Sequence, residues 1–313
     1  MNIYHSISDF KHVERPIVTT GTFDGVHFGH RKIIQRLNEI AQQQDGESVL
    51  LTFYPHPRMV LFPNDHQLQL LNTLDEKIDL LKKAGINHLI IHPFTKAFSR
   101  TTSMHFVRDI IVNQLRTHKL VIGYDHHFGR NREGTFDHLK EFAPVYGFEV
   151  EEIPAQLLDD VSVSSTKIRS ALLNGQVDIA YQFLGYYYCL SGKVVRGNEI
   201  GRSIDFPTAN LLIDDTTKLI PKKGVYAVEV CVENKSFHGM MNIGTKPTLG
   251  DNSQTIEVHI FDFDKIIYDD QISIFLVGRL RDEVPFSNLN QLRNQLEKDK
   301  IRARELLIKK SPH

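Results

Sequence analysis

At 313 residues the chain is long for one domain and sufficient for two. A formal net charge of −1, with 41% hydrophobic and 24% charged residues, is ordinary for a globular protein and gives no global attraction to nucleic acid or to an anionic membrane surface. No apolar run approaches bilayer-spanning length, residues 1–10 lack a basic-then-apolar leader, and two cysteines, Cys189 and Cys231, make neither a disulfide framework nor a metal cluster, so the cytoplasm is the expected compartment and both thiols are expected in the core.

The run Ile17-Val18-Thr19-Thr20 reads as a strand. Gly21-Thr22-Phe23-Asp24-Gly25-Val26-His27-Phe28-Gly29-His30 follows, and Ile33, Ile34, Leu37, Ile40 and Ala41 then recur at helical spacing. The pattern is strand, glycine-rich turn, helix. The glycines let the backbone approach something bulky, and a helix N-terminus offers free N–H groups to a phosphate. His27 and His30 fall on one side of the first turn, where they can donate hydrogen bonds to phosphate oxygens. Two other readings stand beside this one: a tight turn with two surface histidines, and a zinc site still lacking its third and fourth ligands. A P-loop is excluded, because no Gly-Lys-Ser/Thr closes the turn.

Strands are expected next at 48–54, 88–91, 119–123 and 148–153. Helices are expected at 73–81, 101–116 and 133–146. The second helix shows Phe106, Ile110, Ile111 and Leu115 on one face. Thr73 and Glu76 are spaced as a capping box, and Gly85 ends the first helix. Alternating strands and helices imply a parallel sheet with helices on both faces and ligands at the carboxyl ends of the strands. Two further polar stretches fall at such ends. Gly123-Tyr124-Asp125-His126-His127-Phe128-Gly129-Arg130-Asn131-Arg132 offers a carboxylate and two guanidinium groups, or is simply a solvated loop. Val163-Ser164-Ser165-Thr166-Lys167-Ile168-Arg169 is a helix N-cap that can also grip phosphate.

Beyond residue 182 the pattern changes to short β-rich runs at 186–195, 224–232, 237–243, 255–263 and 271–280, the signature of an antiparallel barrel. A helix is expected over 287–307, packed on that barrel. Gly192, Lys193, Arg196, Gly197, Gly201 and Arg202 lie in a loop that leads to Pro207-Thr208-Ala209-Asn210, a candidate phosphate cradle that alone is weak evidence. In the 255–260 run, alternation sets Glu257 and His259 opposite Ile256, Val258 and Ile260.

The opening turn resembles the Gly-x-Phe-Asp-Gly-Val-His-x-Gly-His signature of the HxGH nucleotidyltransferase superfamily, in its flavin adenylyltransferase branch. The later loops resemble that family's Gly-x-Asp/Asn-Phe-x-Phe-Gly and Ile-Ser-Ser-Thr-x-Ile-Arg motifs, with His126 where Phe is usual and Val163 for Ile. The 192–210 block resembles the riboflavin kinase signature, with Asp205 where Gly is usual, and Asn242-Ile243-Gly244-Thr245-Lys246-Pro247-Thr248 resembles a segment beside that active site. Nearly the whole chain thus resembles the bifunctional prokaryotic riboflavin kinase/FAD synthetase family.

The resemblance implies an α/β fold with a Rossmann-like N-terminal nucleotidyltransferase domain at 1–182 and an antiparallel β-barrel riboflavin kinase domain with a C-terminal helix at 183–313. It implies phosphorylation of riboflavin to FMN and adenylylation of FMN to FAD, with ATP as substrate and Mg2+ at both sites. His27, His30 and Glu257 would be catalytic. Gly21, Phe23, Asp24, Gly25, Gly29, Asp125, Ser165, Thr166 and Arg169 would bind ATP in the first domain, and Gly192, Lys193, Gly197, Gly201 and Arg202 in the second. Thr208 and Asn210 would ligate the metal, and Phe128, Arg279 and Arg281 would contact flavin. No nucleic-acid or membrane partner is expected, and the chain would be a monomer or a weak homo-oligomer. A flavin-binding protein without turnover, adenylyltransferase action alone with a kinase half impaired at Asp205, and transfer to another phosphorylated acceptor are the competing readings.

Overall fold

The computed structural model describes residues 1–63, 68–154, 163–197, 201, 204–245 and 254–310. The chain divides into two compact units, Met1–Ser165 and Thr166–His313.

Six strands form the sheet of the first unit: β1 (Asn2–Tyr4), β2 (Pro16–Thr20), β3 (Glu47–Tyr54), β4 (His88–Pro93), β5 (Lys119–Gly123) and β6 (Glu149–Ile153). All pairs are parallel and the order is β1-β4-β3-β2-β5-β6. Every residue of β2 is buried, as a central parallel strand covered on both faces requires. The chain leaves β2 towards β3 and β4, then returns to place β5 on the other side of β2. The carboxyl ends of β2 and β5 are therefore the switch point at which such sheets bind ligands.

Helices α1 (Phe28–Gln43), α2 (Leu74–Lys83) and α3 (Phe136–Tyr146) follow the expected periodicity. The capping box of α2 is present: the Glu76 backbone N–H donates to Thr73 Oγ1 at 3.2 Å, and the Thr73 N–H donates to Glu76 Oε2 at 3.1 Å. The helix expected at 101–116 is a π-helix over Phe106–Gln114, and the Leu115 N–H reaches back to Ile110 O, five residues away. Strand β1 was not expected. Three residues give no periodicity, and it is fixed by pairing with β4 at the sheet edge.

Helices α4 (Ser165–Leu173) and α5 (Val177–Leu184) lead into the second unit. The division expected at 182/183 falls inside α5, which packs against barrel strands. That barrel contains β7 (Tyr188–Val195), β8 (Ala209–Leu212), β9 (Gly224–Val232), β10 (Lys235–Thr245), β11 (Gln254–Ile260) and β12 (Gln271–Arg281), closed in the order β10-β11-β8-β7-β12-β9 with every pair antiparallel. Five of these strands were expected. The sixth, β8, is too short to show alternation and overlaps the end of the Pro207–Asn210 motif. Helix α6 (Leu289–Lys310) packs on β9, β10 and β12. Cys189 and Cys231 are not joined in a disulfide; both are half-buried and not in the core, because each sits on the less enclosed face of its barrel strand.

Candidate active sites

In the first unit the turn after β2 is tightly wound. Phe23 (φ 48), Gly25 (φ 87) and Val26 (φ 34) are left-handed, and the Val26 N–H donates to Phe23 O at 3.2 Å. Such backbone is unfavourable for a β-branched Val and persists only where its surroundings enforce it. Here Phe23 and Val26 are buried in the core beneath α1. The turn delivers His27 as N-cap of α1, its Nδ1 accepting the His30 N–H at 3.4 Å. That acceptance leaves the proton of a neutral His27 on Nε2. The two rings stack 3.6 Å apart, and Phe23 backs His30 at 4.9 Å. A Cβ at Gly29 would lie 3.4 Å from the His27 ring, an ordinary contact.

Burial, the neighbouring His27 and the Lys77 ammonium hold His30 well below the usual imidazole range. Its Nδ1 is buried with no hydrogen-bond partner among the described residues. An orphaned buried donor or acceptor costs stability and marks a place where a ligand atom can be met. Lys77 of α2 donates to Thr22 O at 3.3 Å, and its own pKa is lowered by burial, with Asp24 opposing the shift. Asp24, itself buried, accepts the Leu71 N–H at 3.0 Å. Ser165 Oγ donates to Asp24 O at 3.0 Å, which ties the start of α4 to the turn, and Thr166 and Arg169 follow in the same helix. A narrow cleft beside the turn is lined by Asp24, Lys77, Asn72, Phe53 and Tyr54. Asp125 is exposed at the carboxyl end of β5.

The second unit brings Thr208, Asn210 and Glu257 together. Glu257 of β11 lies opposite Asn210 of β8, and Thr208 Oγ1 donates to Glu257 Oε2 at 3.4 Å. His259, buried on β11, donates from Nδ1 to Pro207 O at 2.8 Å, and burial lowers its pKa, which keeps it a neutral strut. The glycines are explained by close approach: a Cβ at Gly197 would lie 2.1 Å from Asn210 Nδ2, one at Gly201 2.1 Å from Phe206 O, and one at Gly192 2.3 Å from Leu212 O. Lys193 pairs with Asp269 at 2.7 Å. Asp205, where the kinase signature has glycine, adopts φ 64, the conformation for which glycine is otherwise chosen. Arg202 and Lys246–Thr248 lie outside the described residues. Among the described residues, no group of three or more His, Cys, Asp or Glu side chains is placed to hold a metal.

A family model described as FAD synthetase matches residues 9–167, and one described as riboflavin kinase matches 184–307. The bifunctional riboflavin kinase/FMN adenylyltransferase of Escherichia coli K12 is 36% identical over 290 residues, 92% of each chain. The chain belongs to the bifunctional riboflavin kinase/FMN adenylyltransferase family. Relatives with the same description include that of Listeria monocytogenes, 36% identical over 94% of this chain and 93% of the relative, and that of Buchnera aphidicola from Schizaphis graminum, 34% identical over 96% of each. A solved structure described as a macrolide-efflux protein from Streptococcus pneumoniae has a TM-score of 0.86 and 29% identity, covering 96% of this chain and 98% of that one. Its description stays with the pneumococcal protein. Here, among the described residues, no helix is long and apolar enough to cross a membrane.

Three residues expected at flavin contacts are engaged with other parts of the protein in this structure. The Phe128 ring is buried against Phe106 at 5.6 Å, with Gly134 pressed against it. Arg281 holds buried Asp299 through Nε and Nη2 and donates from Nη1 to Asp282 O. Arg279 donates to Lys223 O and to Asp282. Sequence reasoning missed Lys77. Its signal was available: it precedes buried Leu81 by one turn, so a lysine stands on the core-facing side of α2.

Proposed function

We propose that the chain phosphorylates riboflavin with ATP to give FMN, and transfers an AMP unit from a second ATP to FMN to give FAD and pyrophosphate. Residues 1–182 serve the second step and 183–313 the first. The observation that supports this best is that each family match falls within its own compact unit, or within two residues of it, and each unit carries its own group suited to phosphate chemistry.

In adenylyl transfer the FMN phosphate is already an anion, so attack on the α-phosphate of ATP needs no strong base. The barrier falls by positioning and by stabilising charge on the transferring oxygens. The imidazoles of His27 and His30 donate hydrogen bonds there, the Lys77 ammonium adds positive charge, and the N-terminus of α1 adds the positive end of its dipole. Ser165, Thr166 and Arg169 hold the outer phosphates, and Asp125 a ribose hydroxyl.

The riboflavin 5′-hydroxyl, by contrast, is neutral. Glu257 accepts its proton as the oxygen attacks the γ-phosphate and ADP leaves. Thr208 and Asn210 offer the hard oxygen donors that Mg2+ prefers, and Gly197 leaves space for the Asn210 amide that any side chain would fill. Bound there, the cation would neutralise phosphate charge. The left-handed backbone at Asp205 supports a working kinase loop over an impaired one. We place the chain in the cytoplasm, as a monomer or weak homo-oligomer, with no nucleic-acid or membrane partner.

The test is a time course with riboflavin, ATP and Mg2+, resolved for FMN and FAD, repeated with a chelator. FMN should rise first, FAD should follow, and both should stop when Mg2+ is removed. Riboflavin binding without ATP consumption would make the chain a flavin carrier.

A further inference from the structure

Two left-handed aspartates bracket the kinase site. Asp205 (φ 64) stands three residues before Thr208, and Asp262 (φ 54) stands two residues beyond the end of β11, which carries Glu257. Both carboxylates are held by one helix. Arg293 Nη2 donates to Asp205 Oδ2 at 2.9 Å, and Arg304 Nη2 donates to both oxygens of Asp262 at 2.9 and 2.8 Å. These arginines are eleven residues apart, three turns along α6, so they share a face. Lys300 lies between them on that face, 5.7 Å from the Phe206 ring and 6.0 Å from that of Phe261. Ile204 and Phe206, either side of Asp205, are buried in one cluster with Ala303 and Leu307 of α6.

The loop then runs directly into the site. The Phe206 N–H donates to Gly201 O, Pro207 O accepts from His259, and Thr208 reaches Glu257. Left-handed backbone costs an aspartate more than a glycine, so a partner that holds the Asp205 carboxylate helps fix the loop there.

We propose that Arg293 is a positioning residue for the kinase step: by holding Asp205 it sets the 204–208 loop and thereby places Thr208 against Glu257. It touches no substrate. The proposal rests on the kinase reading above. The pair is exposed, with 51% and 78% of the side chains open to solvent, so its effect is a few-fold and not a loss of function.

The experiment uses the purified full-length chain, with FMN adenylylation as internal control. Arg293→Ala should raise the kinase KM for ATP about threefold to fivefold, with a smaller change in kcat and adenylylation unaltered. Arg293→Lys should restore most of the loss. In an Asp205→Gly background, where glycine adopts the conformation unaided, Arg293→Ala should add nothing. Amide exchange at 204–206 should be faster in Arg293→Ala and serves as a readout independent of turnover. Absence of FMN formation in the unaltered chain would sink the kinase reading, while the exchange data would still decide on the clasp. Unchanged KM and exchange in Arg293→Ala, an equal fall in both activities, or a loss that persists in the Asp205→Gly background each overturns the clasp.

Discussion

Nδ1 of His27 accepts the backbone N–H of His30, and the two rings lie 14° from parallel. Two imidazoles at this distance cannot both carry charge cheaply, and the lowered pKa of His30 keeps that ring neutral. On the proposed reading they act as hydrogen-bond donors to developing charge, not as proton shuttles. His30→Ala should therefore cut FMN adenylylation about 100- to 1,000-fold, the usual effect of removing one charge-stabilising donor. FMN formation should be unchanged. Wild-type rates of FAD formation from FMN in this variant would remove His30 from the mechanism.

The same neutrality makes the fold acid-sensitive. In the unfolded chain His30 protonates near pH 6.5. In the folded chain burial, His27 and Lys77 hold its pKa well below that. Below about pH 6.5 the unfolded state thus binds a proton that the folded state refuses, so stability is full above that pH and declines as the pH falls. His126 adds the same sign. Burial, then His127 and Arg132, lower it to about 4, which places its window between about 6.5 and about 4. Replacing His126 by Phe, which does not titrate, should lower the pH at which the chain unfolds in acid. Identical acid unfolding curves for the two chains would contradict this.

The parallel sheet and the capping box of α2 were legible because period and spacing there depend only on neighbouring residues. So was the glycine-rich turn before α1, whose motif carries its own geometry. Strands β1 and β8 were not: they are three and four residues long and are defined by distant partners, His88–Ile90 for β1, and Glu257, Val258 and β7 for β8. Burial was the harder quantity. Nothing local reveals that Arg279 and Arg281 pair with Asp282 and Asp299. The place of Lys77 one turn before buried Leu81 was readable, but not its partners Thr22, Asp24 and His30, which come from a turn about fifty residues earlier.

Glu257 is the proposed base of the kinase step. It faces Asn210 across the β11–β8 pair and accepts from Thr208, so the base sits beside the proposed metal ligands. Glu257→Gln keeps size and hydrogen bonding but cannot take a proton. FMN formation should fall by about two decades or more, within the range for a general base. Conversion of added FMN to FAD should continue at the original rate. Equal loss of both activities would show that the two steps share one site.

Lys77 offers a test that joins electrostatics to rate. Its buried ammonium is disfavoured by desolvation and retained beside Asp24, an arrangement more readily explained by a phosphate ligand than by stability. It is also one of the causes that depress His30. Lys77→Met keeps the length and apolar stem of the side chain and removes the charge. Three effects should follow. The His30 pKa, read by NMR titration of its ring protons, should rise towards the ordinary imidazole value. FMN adenylylation should fall about tenfold to a hundredfold through loss of a phosphate partner. Thermal stability should fall modestly, since the buried Asp24 carboxylate loses its cation and Thr22 O its donor. A marked drop in stability with an unmoved His30 titration would mean that Lys77 serves the fold alone, through its bond to Thr22.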